Sequence, residues 1–147
     1  MDQVCEIPFD NPDAQEIKEI LSAYRSVAVV GLSHDEKKSS YQVAKYLKEH
    51  GFEIYPINPK YENILGKKCY PSLLAVPARI EIVDIFRRPS AVPEIVEEAV
   101  RCGAKVIWMQ LGIVNNEAAR RAREAGLKVV MGQCIMAEYK KMAGNRS

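Results

Sequence analysis

Residues 26–41 read SVAVVGLSHDEKKSSY, and the fold follows from this stretch. Val27 to Val30 are apolar on both faces, as expected of a central parallel strand covered by helices on either side. Gly31 ends the strand, a polar turn follows, and the helix begins near Ser40. That is the first β-loop-α element of a nucleotide-binding sheet, where free backbone N–H groups and a helix N-terminus can receive a phosphate. The glycine pattern departs from the dinucleotide fingerprint G-x-G-x-x-G. After Gly31 come Leu32, Ser33 and His34.

Working outward, one junction occurs three times: HGFEIYPI, CGAKVIWM and AGLKVVMG. Each places a glycine (Gly51, Gly103, Gly126) just past a helix and just before a strand, where the left-handed conformation closes the last helical turn. Repeated helix-to-strand passages mean a parallel sheet. The pattern predicts strands at 27–30, from Phe52, and at 80–86, 105–110 and 128–131. Helices are predicted at 40–50, 90–101, 115–125 and 135–143. The long connection 60–78 contains Gly66, Pro71 and Pro77 and has room for a short helix at 72–75. Upstream, Asn11-Pro12 reads as a helix start, with Ile17, Ile20, Leu21 and Tyr24 on one stripe. The expected fold is α/β, a single doubly wound Rossmann-like domain of about five parallel strands with helices on both faces. The predicted order is 3-2-1-4-5, in preference to the flavodoxin-like one. Residues 1–25 are read as an N-terminal segment and covering helix of the same domain as residues 26–147.

Composition narrows the functions. The 147 residues suit one domain, and 48% hydrophobic against 27% charged is ordinary for a soluble globular protein. With 21 basic and 19 acidic residues, bulk charge points to neither nucleic acid nor a membrane surface. No apolar run has the length of a membrane span. The opening MDQVCEIPFD is acidic and broken by proline, unlike a signal peptide. Cys5, Cys69, Cys102 and Cys134 have no metal-ligand spacing. They are expected as free thiols in the cytoplasm, with no metal bound.

In an open α/β sheet the ligand lies beyond the carboxyl ends of the strands. Gly31 there permits close backbone approach, while Ser33, Ser39 and Ser40 offer hydroxyls and Lys37 and Lys38 add charge. Alternatively, Ser39 or Ser40 only caps the helix. After the second strand a NAD site wants an acidic residue for the ribose, but the chain has Asn58, Pro59 and Lys60. Lysine there suits an extra phosphate, as in NADP or coenzyme A, or else is an exposed loop charge. After the third strand, Phe86 precedes Arg87 and Arg88. Their guanidiniums either meet an anion or pair with Asp84 or Glu94. Gln110 and Gly112 follow the fourth strand. Cys134 follows the fifth and begins a helix, which makes it a candidate nucleophile or a small buried residue. His34 and His50 have no catalytic partners in sequence. The arginines at 120, 121 and 123 form either a docking face or a solvated one.

Together these loops resemble the small stand-alone CoA-binding proteins and, more distantly, the CoA-binding domain of the succinyl-CoA synthetase α subunit and of ADP-forming acyl-CoA synthetases. The matching segments are VAVVGLS (27–33), SSYQVAKYLKEHGFEIYPINPK (39–60), ILGKKCYPSL (64–73), IVDIFRRPSAVPEIVEEAV (82–100) and GAKVIWMQLGIVNNEAARRAREAGLKVVMGQC (103–134). The resemblance implies a Rossmann-like domain that binds coenzyme A. Gly31, Ser33, Ser40 and Tyr41 would face the pyrophosphate, and Asn58 and Lys60 the adenosine 3′-phosphate. Phe86, Arg87 and Arg88 would flank the nucleotide or pantetheine, and Gln110 and Gly112 the pantetheine end. Relatives often read close to M-D-R-C-P where this chain has Met131-Gly132-Gln133-Cys134-Ile135. The synthetases use further domains for which 147 residues leave no room. The expectation is therefore CoA or acyl-CoA binding, as a carrier, sensor or regulatory module without ligation. The alternatives are an NADP-dependent reductase and a CoA-linked thiol–disulfide activity at Cys134. A protein partner or homo-oligomer is left open.

Overall fold

A computed structural model describes residues 6–144. The expected Cys5 thiol lies outside them. The chain runs α1 (Ala14–Ala23), β1 (Ser26–Val30), α2 (Ser39–Glu49), β2 (Glu53–Ile57), a small hairpin β3 (Asn63–Ile64) and β4 (Lys67–Lys68), then β5 (Ile82–Ile85), α3 (Val92–Cys102), β6 (Val106–Met109), α4 (Asn116–Glu124), β7 (Lys128–Val130) and α5 (Ile135–Gly144). Single 3-10 turns sit at Leu73–Ala75 and Pro89–Ala91. The expected doubly wound α/β sheet is present: five strands, all parallel, in the order β2-β1-β5-β6-β7.

That order corrects the predicted one. In main-sheet terms it is 2-1-3-4-5, the flavodoxin-like order, because β5 lies beside β1 and not beyond β2. Pro56 supplies the reason. Glu53 N–H donates to Arg25 and the Ile57 carbonyl accepts from Gly31, so alternate residues of β2 face β1. Pro56 therefore faces the outer edge, where a missing N–H breaks no ladder; an interior β2 would lose a bond there. The edge is partly used by Tyr70, whose N–H donates to the Pro56 carbonyl and whose carbonyl accepts from Asn58 N–H.

The sheet has an apolar layer on each face. Val27, Val29, Ile54, Ile82, Val106 and Trp108 pack beneath α1, α2 and α5. Ala28, Val30, Val83, Ile85, Ile107 and Met109 pack beneath α3 and α4. Alternation along each strand sends neighbouring residues to opposite layers. α4 presents Ala118, Ala119 and Ala122 inward, and such short side chains let the helix lie close to the sheet. Its arginines are engaged within the fold. Arg120 pairs with Glu117 and Glu124, Arg121 makes a bidentate pair with Glu97 of α3, and Arg123 donates to the carbonyls of Phe9 and Asp10.

α1 starts later than expected, with Asp13 as N-cap accepting from Glu16 N–H. Asn11 caps nothing. Its side-chain amide instead donates to the Met131 carbonyl and accepts from Met131 N–H, both at 2.8 Å. A side-chain amide thus completes the backbone pairing just past the edge strand β7.

Asp84, at the centre of β5, is fully buried, and neither carboxylate oxygen has a partner. Among the described residues neither Arg87 nor Arg88 pairs with it or with Glu94. Burial raises the pKa of Asp84 well above the usual 3.8. The folded state keeps the proton while the unfolded chain releases it above the usual value. The ionisation of Asp84 therefore leaves stability unchanged below about pH 4 and costs stability increasingly as pH rises toward its folded value, on top of the pH-independent cost of burying an unpartnered carboxyl. Asp84→Val should raise stability at pH 7 by about 1–3 kcal/mol, the cost of a buried unsatisfied polar group. Urea unfolding should show a larger gain at pH 7 than at pH 4.5; an equal gain at both, or a loss at pH 7, contradicts the assignment.

Candidate functional site

Crossovers leave β1 toward β2 and leave β5 toward β6, in opposite directions along the sheet. The crevice between the carboxyl ends of β1 and β5 is therefore the topological switch point. Gly31 and Phe86 meet there. Phe86 N–H donates to the Val30 carbonyl, and Gly31 N–H donates to Ile57 on the other side. Gly31 has φ 88°, and a Cβ on it would stand 2.8 Å from the Phe86 carbonyl oxygen and 2.9 Å from Cδ of Arg87. No other residue fits that position.

The loop from Gly31 to α2 is held by its own short side chains. Ser40 is buried, and its Oγ accepts from Ser33 N–H at 3.0 Å. Ser33 Oγ accepts from Asp35 N–H, and the Asp35 carboxylate accepts from Lys37 N–H. Asn58 clamps the loop to the end of β2: its amide donates to the Leu32 carbonyl at 2.9 Å and its oxygen accepts from Lys60 N–H. Ser40 and Asn58 thus shape the loop. α2 begins at Ser39 with Lys38 in the N-cap position and no side-chain cap, so neither serine caps it. The Ser39, Ser40 and Tyr41 amides have no acceptor among the described residues, whereas Lys38 N–H donates to the Asp35 carbonyl and Gln42 N–H to that of Lys38; this leaves three donors and the positive end of the helix dipole open.

Two clefts flank this loop. The first, about 370 Å³, has Gly31, Ser33, Asn58, Pro59, Lys60 and Arg87 on its wall, with Tyr61 beside them. The second, about 720 Å³, has Ser39, Phe86, Gln110 and Cys134, with Lys37, Leu111, Ile113 and Met136. Phe86 and Arg87, consecutive at the end of β5, line different clefts. Four expected site residues are on neither wall: Ser40 lies beneath the loop, Tyr41 packs into the layer under α2, Arg88 precedes the 3-10 turn at Pro89, and Gly112 is in a β-turn. That turn is closed by Ile113 N–H donating to the Gln110 carbonyl, with Gly112 at φ 81°.

The electrostatics are one-sided. Lys37, Lys60, Arg87 and Arg88 form no side-chain hydrogen bond or ion pair among the described residues, and neither cleft wall includes a carboxylate. Such a surface suits a multiply charged anion. Cys134 is half-buried, just before α5, and its carbonyl accepts from Glu138 N–H. The other described thiols, Cys69 and Cys102, are pushed up by burial, away from a reactive thiolate.

Sequence reasoning misses Tyr61, Ile113 and Met136, and marks Leu111 only by its place after the fourth strand. Tyr61 follows Lys60 at the same strand end, and its ring lies 4.2 Å from that of His34, centroid to centroid. Leu111, 73% exposed, stands out only once its neighbours in space are known.

Gly31→Ala combines a positive φ with a backbone collision and should cost about 2 kcal/mol or more. A thermal shift no larger than that of an exposed Gly66→Ala control contradicts the close-approach account.

Residues 25–140 match the family model for the CoA binding domain. The chain is 42% identical over 127 residues to the uncharacterized protein YneT of Bacillus subtilis, covering 86% of this chain and 94% of that one. The solved structure of a hypothetical protein from Pyrococcus horikoshii superposes with a TM-score of 0.89 at 45% identity, covering 95% of this chain and 98% of that one. Over 85 residues the chain is 43% identical to an ADP-forming acetate–CoA ligase of Methanocaldococcus jannaschii, 58% of this chain but 12% of that enzyme. The switch-point crevice, its uncapped helix and its unpaired cations thus lie within a matched domain, and the chain belongs to the CoA-binding domain family.

Proposed function

We propose that the protein binds coenzyme A across the two clefts, as a cytoplasmic carrier, sensor or regulatory module that ligates no acid. The observation that carries this is the set of unpartnered donors around one loop: the first-turn amides of α2, Arg87 and Lys60. The ligand's pyrophosphate lies over the loop between Gly31 and Ser39, on those amides and the helix dipole. The adenosine occupies the first cleft, its 3′-phosphate toward Lys60 and its base near the Tyr61 ring. The pantetheine arm crosses Phe86 into the second cleft toward Gln110 and Cys134. Membership of the family and the likeness to YneT over nearly its whole length support this reading. The carboxylate-free walls support binding in preference to proton-transfer chemistry.

The described residues contain no helix long and apolar enough to cross a membrane and no group of His, Cys, Asp or Glu that could hold a metal ion. An NADP-dependent reductase shares the phosphate argument, but nothing in the second cleft favours a nicotinamide over pantetheine.

Calorimetry with CoA and dephospho-CoA tests the orientation. CoA should bind about tenfold more tightly, a difference of about 1.4 kcal/mol for one charge-assisted contact. Lys60→Ala should erase the difference, and Arg87→Ala should weaken both ligands. Equal affinity of the unaltered protein for the two removes Lys60 from the 3′-phosphate. Because these contacts are electrostatic and near the surface, raising the ionic strength should weaken CoA binding.

A further inference from the structure

The second cleft holds more than a thiol requires. Gln110 is 4% exposed, and its Oε1 accepts from the buried Ile135 N–H at 3.0 Å. An N–H donor there forces the amide oxygen toward α5, so the side-chain orientation is decided by its partner. Nε2 is left without an acceptor among the described residues, yet it is not sealed from solvent: only the Asp84 oxygens are both fully enclosed and unpartnered. Gln110 lines the cleft, so a side chain that is almost wholly buried offers it an unused donor. The wall carries Val43, Phe86, Leu111, Ile113 and Met136, with Lys37, Ser39 and Gln42 as its polar part. Leu111 has no packing reason to be apolar, since it is 73% exposed at the tip of a turn.

We propose that this cleft is an acyl subsite, and that the ligand class is an acyl-CoA with an uncharged aliphatic acyl group. The inference rests on the coenzyme A reading above and adds to it. Gln110 Nε2–H donates to the thioester carbonyl, which free CoA lacks. The acyl chain lies along Val43, Ile113 and Met136, and Leu111 closes over it. A fully buried methylene contributes about fourfold in affinity. A partly covered six-carbon chain then exceeds tenfold even after its ordering cost.

The test compares CoA with hexanoyl-CoA by calorimetry, using the ratio of their dissociation constants within each protein. The unaltered protein should prefer hexanoyl-CoA by about tenfold or more. Leu111→Asp, at an exposed position, should bring that ratio close to one. Gln110→Met keeps the length of the side chain and removes the amide donor, so it should lower the ratio at least severalfold. A ratio near one in the unaltered protein, or one that survives Leu111→Asp, overturns the subsite. A ratio that survives Gln110→Met overturns the carbonyl contact. Tight CoA binding with no acyl preference leaves the proposed function standing without this inference, whereas failure to bind either ligand removes both.

Discussion

The close approach of Gly31 to the end of β5 sets the geometry of the whole carboxyl edge. β1 can lie in register with β5 and still turn away into the loop only if no Cβ meets the Phe86 carbonyl, 2.8 Å from where one would stand. Because Gly31 N–H is taken by Ile57, its contribution is space, not a donor. The turn then places Ser33 against Ser40 and brings the start of α2 over the crevice. The opposite crossover directions out of β1 and β5 make this the switch point, with one cleft toward β2 and the other toward β6 and β7. A ligand with a charged middle and two dissimilar arms matches that division.

The site and the sheet make opposite electrostatic demands. Around the loop, cations and amide donors are left unpaired, which costs little while water reaches them and strengthens any anion that displaces it. Beneath it, Asp84 carries a carboxyl into a layer of Val29, Ile82 and Trp108 with nothing to bond. Its raised pKa keeps the interior neutral but ties stability to pH. The surface ion pairs of α4 are exposed and contribute little singly. The bidentate Arg121–Glu97 pair links α4 to α3 at the same exposed surface.

Much of this is legible in the chain. Gly51, Gly103 and Gly126 all sit at positive φ after their helices, so the repeated α-to-β junction is a sound basis for a parallel sheet. Asn115 caps α4 as its position suggests. Strand order is harder to read although its signal is present: Pro56 in the middle of a strand marks an edge. Asn-Pro favours a helix cap, which makes Asn11 misleading. Its real partner, Met131, is 120 residues away, and local pattern carries no information about such a pairing. For the site, residues just past strand ends can be found because topology alone gathers them. Tyr61 and Met136 cannot, since their place on a wall depends on how separate loops fold over one another. The position of Gln110 marks it in the sequence, whereas its free Nε2 emerges only from knowing that Ile135 occupies the oxygen.

Titration of labelled protein with CoA, followed by backbone amide chemical shifts, tests the central claim most directly. The account predicts that the largest changes fall on Gly31–Tyr41, Asn58–Tyr61, Phe86–Arg88 and Gln110–Ile113, with saturation at one equivalent. Changes concentrated instead in the groove between Phe9 and α4, lined by Asn116, Arg120 and Arg123, or no saturable change at all, would contradict it.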